Sequence, residues 1–185
     1  MALAEEIIKG WGNPQITQLG MVAGNKGESM QWYAKLLNLN PWFRSNTKEQ
    51  EIYFLGEKIE LELELYIAFS GRFQVEIIEV FSAEKGIYAD AYRQGNMLHH
   101  LGYYVSNIEQ KKAQLKNAGI DIVQEGYIAT KGGAVTHFAY LDTLKDCGII
   151  LELIETKLMD RVTVVQRAPL MRMGVLSGDV KKVKV

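Results

Sequence analysis

Residues 16–23 (Ile-Thr-Gln-Leu-Gly-Met-Val-Ala) and residues 98–105 (Leu-His-His-Leu-Gly-Tyr-Tyr-Val) superimpose without a gap, placing Gln18 on His100, Leu19 on Leu101 and Gly20 on Gly102. Each is followed by a small polar residue with a Glu three positions on, Asn25 with Glu28 and Ser106 with Glu109. That pairing satisfies the free N–H groups at a helix start. Each copy closes on an apolar stretch carrying Glu, Val75-Glu76-Ile77-Ile78-Glu79 and Leu151-Glu152-Leu153-Ile154-Glu155. Several matching segments in one order mark a duplicated unit with drift in its later loops, and duplication decides architecture before any local propensity does.

Periodicity fills in each copy. Residues 15–23 read as a strand, and 26–38 as a helix with Met30, Tyr33, Ala34 and Leu37 on one stripe, stopped before Pro41. Strands follow at 50–55, 59–69 and 73–80 around turns at Gly56 and Gly71. The second copy repeats the order: strand 98–105, helix 107–118 ended by Gly119, and strands near 120–127, 134–142 and 148–155. The expected fold class is α+β, a single domain over 1–185 made of two βαβββ modules. Module one covers about 15–82, a connector with a short helix near Tyr88–Arg93 covers 83–96, and module two about 97–156. A helix over 2–9 and a basic tail over 157–185 flank the pair.

Composition narrows the function classes. With 21 Lys plus Arg against 22 Asp plus Glu, the net charge is −1, which leaves no electrostatic footprint for nucleic acid or an anionic membrane. No apolar run approaches the ~20 residues that span a bilayer, and the acidic start lacks the basic region of a secretory signal. The single cysteine, Cys147, forms no internal disulfide and fits a reducing compartment. The expectation is a cytoplasmic protein.

Strand alternation indicates where chemistry gathers. Gln18 shares a face with Gly20 and Val22, and His100 with Gly102 and Tyr104. Glu76 and Glu152 sit mid-strand among aliphatic residues, where a lone carboxylate is costly to bury. Singly, these are a polar strand residue, a core histidine and two half-exposed charges. In one repeat register they point to four ligands, Gln18, Glu76, His100 and Glu152, around a pseudo-twofold axis. A mixed N/O set suits an octahedral divalent ion with open positions better than a closed structural zinc site. The metal is not distinguished among Mg, Mn, Co, Ni and Zn.

The same residues carry a resemblance. Met30-Gln-Trp-Tyr-Ala-Lys-Leu-Leu-Asn-Leu-Asn-Pro-Trp42, Leu98-His-His-Leu-Gly-Tyr-Tyr-Val105, Phe138-Ala-Tyr-Leu-Asp-Thr143 and Gly148-Ile-Ile-Leu-Glu-Leu-Ile-Glu155 resemble the vicinal oxygen chelate superfamily. Its members include glyoxalase I, methylmalonyl-CoA epimerase, extradiol dioxygenases and bleomycin-resistance proteins. The resemblance implies a curved, eight-stranded mixed sheet whose concave cleft holds the metal on Gln18, Glu76, His100 and Glu152. It also implies a metal-dependent isomerase or epimerase that abstracts a proton next to a carbonyl or acyl thioester, most like methylmalonyl-CoA epimerase. Glu64 falls near that enzyme's catalytic base, so Glu64 and Glu152 are the expected proton-transfer pair. The last loop, Leu141-Asp-Thr-Leu-Lys-Asp-Cys147, departs from the epimerase pattern, which weighs against acyl-CoA. The alternatives are a glyoxalase I-type lyase and a metal-free small-molecule binding protein of the resistance type. A homodimer is a further implication of the resemblance.

Other residues receive plainer readings. His99 is expected on the face opposite His100, packed against a helix. His137 is read as packed or half-exposed, and Tyr104 and Tyr140 as aromatic core able to reach a substrate oxygen. Cys147 has no activating neighbour in sequence, and the valine- and lysine-rich end suits an edge strand, a dimer contact or a disordered tail equally.

Overall fold

The computed structural model describes residues 6, 9–11, 15–23, 26–89, 93, 96–159, 161–163 and 168–184. In chain order the elements are β1 (Ile16–Ala23), α1 (Lys26–Leu37), β2 (Trp42–Ser45), β3 (Thr47–Phe54), β4 (Glu57–Ile59), β5 (Glu62–Ser70), β6 (Phe73–Ser82) and β7 (Met97–Tyr104). Then come α2 (Ile108–Asn117), β8 (Ile122–Thr130), β9 (Ala134–Leu141), α3 (Leu144–Cys147), β10 (Ile150–Leu158), β11 (Arg161–Thr163), α4 (Ala168–Ser177) and β12 (Val180–Val183). The expected helix over 2–9, the Asn25 cap and most of the connector helix lie outside the described residues.

The duplication is visible in the centre of the sheet. β1 and β7 pair antiparallel, β6 lies parallel to β1, and β10 lies parallel to β7. Outward from this core the order is β6-β5-β2-β12 on one side and β10-β9-β8-β3-β4 on the other, with β11 attached to β10. The fold is therefore α+β on a curled mixed sheet, as expected. Among the described residues the strand count is twelve rather than eight.

The excess has a physical cause. The segment 42–54 is one extended stretch broken only at Asn46, and its halves serve opposite edges of the sheet. β2 pairs with β5 of module one, whereas β3 pairs with β8 of module two. The strand expected at 50–55 within module one thus belongs to the far edge, because a curled sheet brings both edges within reach of one strand. β12 covers the edge left by β2. Asn46 joins these parts: its N–H donates to the Asp179 carbonyl, its carbonyl accepts from Lys131 N–H, and its side-chain amide donates to the Gly178 carbonyl.

The helices pack on the convex face. Met30 of α1 joins Met21, Tyr66, Val75 and Ile77 with the fully buried Trp42. Truncating a buried aromatic of this kind costs about 3–5 kcal/mol. Leu37, expected on the same stripe, is exposed, because α1 ends there and the next residue, Asn38, turns left-handed at φ 53°. On the second module Ile108 and Leu115 of α2 pack against Ala139, Leu141 and Leu153. The start of α2 differs from the capping box expected at Ser106. Asn107 is the N-cap residue, its side chain makes no cap bond, and its N–H donates to Glu155 Oε1 at 2.5 Å. A buried carboxylate from β10 does the work assigned to a local side chain.

No helix among the described residues is long and apolar enough to cross a membrane.

Candidate metal centre

Two neighbouring rungs of the central sheet build the centre. One aligns Glu76, Gly20, His100 and Ile150 across β6, β1, β7 and β10. The next aligns Gln74, Gln18, Gly102 and Glu152. The pseudo-twofold relation is explicit: each large side chain lies over the other module's glycine. A Cβ on Gly20 would stand 1.9 Å from the His100 ring, and one on Gly102 would stand 2.4 Å from Gln18 Oε1. Glycine at both positions is a space requirement of the site.

All four side chains are buried, His100 completely. One ligand atom each from Glu76, His100 and Glu152 lies within 4.8 Å of the others. His100 Nε2 is 3.1 Å from Glu152 Oε2 and 3.6 Å from Glu76 Oε2. These contacts are close but not aligned as hydrogen bonds. Among the described residues, Gln18 Oε1, His100 Nε2 and Glu152 Oε2 are buried polar atoms without a hydrogen-bond partner. Native interiors leave few such atoms, and each calls for an explanation. Two carboxylate oxygens, an imidazole nitrogen and an amide oxygen form a donor set that fits a divalent cation.

His99 sets the chemistry of its neighbour. Gly20 pairs with His100 but Met21 pairs with Leu98, so His99 is the extra residue of a β-bulge. The bulge turns its ring beside His100 instead of to the opposite face, and there it packs on Tyr88 with ring centroids 5.1 Å apart. Its Nε2 lies 3.2 Å from the Ile87 carbonyl, which only accepts, so Nε2 carries the proton. Burial, reinforced by His100, lowers the His99 pKa to about 4 and keeps the ring neutral. His99 Nδ1 is then an acceptor, and it lies 3.1 Å from His100 Nδ1. His100 must donate from Nδ1, which directs Nε2 at the two carboxylates. An orienting partner of this kind is typical of metal-bound histidine. Alternation alone had sent His99 to the wrong face, and no residue pattern announces the bulge.

The electrostatics suit a cation. Burial pushes the Glu76 carboxyl upward, opposed by the nearby His100 ring and reinforced by the Glu152 charge. Burial lowers the His100 pKa, but Glu152 and Glu76 outweigh it and raise the value to about 9. Without a metal, a proton is therefore the cation held between the carboxylates.

Gln18, Glu76 and Glu152 form the floor of a cavity of about 390 Å³ on the concave face, with the fully buried His100 behind them. Tyr104 and Tyr140 stand beside it, both pushed up by burial and by the glutamate charges and so held protonated. Tyr104 donates to Gln74 Oε1 at 2.8 Å, and the Tyr88 and Tyr140 hydroxyls share a 2.6 Å hydrogen bond. His137 faces the other side of β9, against Tyr127. Cys147 is exposed.

Glu64 is not part of this site. Leu63, Leu65 and Ile67 of β5 line the cavity, so alternation sends Glu64 to the convex face. There it accepts from Arg44 at 2.9 Å and from the Tyr66 hydroxyl. The expected pairing of Glu64 with Glu152 across a substrate is corrected: the carboxylate facing Glu152 across the centre is Glu76.

Comparison with known proteins follows the same lines. Residues 17–140 match the family model of the glyoxalase/bleomycin resistance protein/dioxygenase superfamily. No curated protein matches the chain in sequence. Among solved structures, a hypothetical protein from Bacillus halodurans C-125 is 18% identical with a TM-score of 0.56, covering 80% of this chain and 98% of that one. Methylmalonyl-CoA epimerase from Mycobacterium tuberculosis is 12% identical with a TM-score of 0.52, covering 74% and 84%. A variant of 4-hydroxymandelate synthase from Streptomyces coelicolor is 12% identical with a TM-score of 0.51, covering 78% of this chain and 49% of that one. At such identities the likeness is one of fold.

Proposed function

The chain belongs to the glyoxalase/bleomycin resistance protein/dioxygenase superfamily, and we propose that it is a divalent-metal-dependent isomerase that moves a proton at a carbon next to a carbonyl. The observation that carries this reading is the buried Glu76–His100–Glu152 cluster, with its atoms within 4.8 Å of one another, at the floor of a cavity. Gln18, Glu76, His100 and Glu152 are the residues that would hold the ion. When bound, a divalent ion supplies a positive charge that stabilises the oxygen of a carbonyl as the neighbouring C–H proton leaves.

The rest of the reaction falls to the protein. Glu76 and Glu152 flank the central β1–β7 pair from opposite sides, so one carboxylate removes the proton and the other returns it. Burial raises Glu76 toward the range in which a carboxyl both takes up and releases a proton. The Tyr140 hydroxyl, which accepts from Tyr88, keeps its own proton free to donate to a substrate oxygen, and the apolar wall keeps water from the carbanion-like carbon. All four proposed ligands come from one chain.

The test is metal content of the purified protein, followed by incubation of ketones and acyl thioesters in heavy water. One ion per chain and deuterium at the α-carbon, lost in both Glu76→Gln and Glu152→Gln, is the expected result. Exchange retained in both variants removes the base assignments. A metal-free protein that binds ligands without exchange would instead be a binding protein. That second reading is favoured by the largely aliphatic wall above the floor.

A further inference from the structure

Above its floor the cavity has an unusual character for a site of this size. Its walls are supplied by Ile52, Leu65, Ile128, Phe138, Ile154 and Met171, among others. Among the described lining residues there is no Lys, Arg or His; every lining side chain that titrates is an acid or a phenol. The hydroxyls on the wall are largely spoken for. Thr136 and Thr156 bond each other at 3.0 Å, and Thr130 bonds Asp179.

Asp179 is itself occupied. Its Oδ1 accepts from the Ala134 N–H at 2.9 Å and from Thr130, and its Oδ2 from Ser177. This carboxylate ties α4 and β12 to the β8–β9 hairpin. In that position α4 and β12 contribute Met171, Met173 and Val180 to the cavity wall. The C-terminal segment is thus part of the container, and what it adds is apolar.

An anionic group seated against these walls would meet the Asp179 carboxylate and, among the described residues, no cation, and burying an unpaired charge is among the costliest steps in recognition. A polyhydroxylated body would find few unpaired hydrogen-bonding groups. From this we infer that the substrate is an uncharged, largely apolar carbonyl compound, its polar end on the Gln18–Glu76–Glu152 floor and its hydrocarbon body in the aliphatic chamber closed on one side by α4. The inference rests on the proton-transfer reading above and restricts it: acyl-CoA thioesters and substrates with a distal carboxylate are excluded.

Calorimetric titration of the metal-loaded protein with 2-octanone, with 7-oxooctanoate and with propionyl-CoA tests this, α-proton exchange being followed separately by NMR. The keto acid carries its charge at the end away from the carbonyl, so it probes the wall rather than the floor. The expected result is saturable binding of 2-octanone, about 100-fold weaker binding of 7-oxooctanoate, and no saturation by propionyl-CoA. Across methyl ketones of increasing length, affinity should rise about fourfold per added methylene until the chamber is full. The limit should shift to longer chains in Met171→Ala. Equal or tighter binding of the keto acid or the thioester, a flat chain-length series, or no binding of the ketones overturns the inference. Ketone binding without exchange leaves it standing and removes the isomerase; exchange on the thioester alone does the reverse.

Discussion

Replacing Gly20 by alanine puts a methyl group into the space of the His100 imidazole. A Cβ at this position falls 1.9 Å from both Cε1 and Nε2 and 2.4 Å from Nδ1. Non-bonded carbons rest at about 3.5–4.0 Å, so the ring must retreat by on the order of 2 Å. It has nowhere easy to go. His100 is fully buried, packed edge-to-face on Tyr140 at 5.1 Å and held by His99 at 3.1 Å. Overpacking of this kind costs about 1–3 kcal/mol, which for a chain of this size lowers Tm by roughly 3–10 °C. The effect on the ion should be larger, because ligand distances tolerate only about 0.2 Å. Metal analysis and calorimetry should show one ion per wild-type chain and at least ~100-fold weaker binding in Gly20→Ala. Gly102→Ala should be intermediate, since part of what it meets is the end of the flexible Gln18. Gly10→Ala, with nothing within 4 Å, is the control. A Gly20→Ala protein that binds one ion per chain with wild-type affinity would refute the geometry proposed for the centre.

Three further outcomes follow from the same structure. Glu64→Gln should leave α-proton exchange unchanged and cost at most about 1 kcal/mol in a denaturant melt, because a partly exposed pair with Arg44 contributes little; a large loss of activity would return Glu64 to the mechanism. His99→Phe should weaken metal binding about 10–100-fold by freeing the His100 ring, and an unchanged affinity would deny His99 its orienting role. The metal-free protein should show one acid-side and one alkaline-side loss of stability from its two buried histidines. His99, depressed to about 4, removes stability as pH falls below 6.5, and His100, raised to about 9 between Glu76 and Glu152, removes it as pH rises from 6.5 through 9. The alkaline loss amounts to on the order of 3 kcal/mol and should vanish when an ion replaces the proton; melts showing the same alkaline decline with and without metal would contradict this.

Much of the centre was legible because a duplication carries more information than a motif. Gln18 and His100, like Gly20 and Gly102, occupy equivalent positions, and antiparallel pairing of equivalent strands necessarily sets each against its counterpart's glycine. Glu76 and Glu152 follow from the parallel strands alongside. Glu64 was misread for a definite reason. It was placed by resemblance to the epimerase base, and strand alternation could not correct the placement, because it does not say whether the face carrying Glu64 is concave or convex. The same limit hid the two destinations of 42–54, because extended character does not say which distant edge each half meets.

The sequence alone determined the α+β fold, the central four strands and the rungs on which Gln18, Glu76, His100 and Glu152 stand, since these depend on periodicity and on a register that repeats. The tertiary structure alone decided the bulge that brings His99 to His100, the outward face of Glu64, and the folding of α4 and β12 onto the cavity through Asp179. Each of these depends on contacts between residues far apart in the chain, or on the curl of the whole sheet, and neither leaves a periodic trace in any local window.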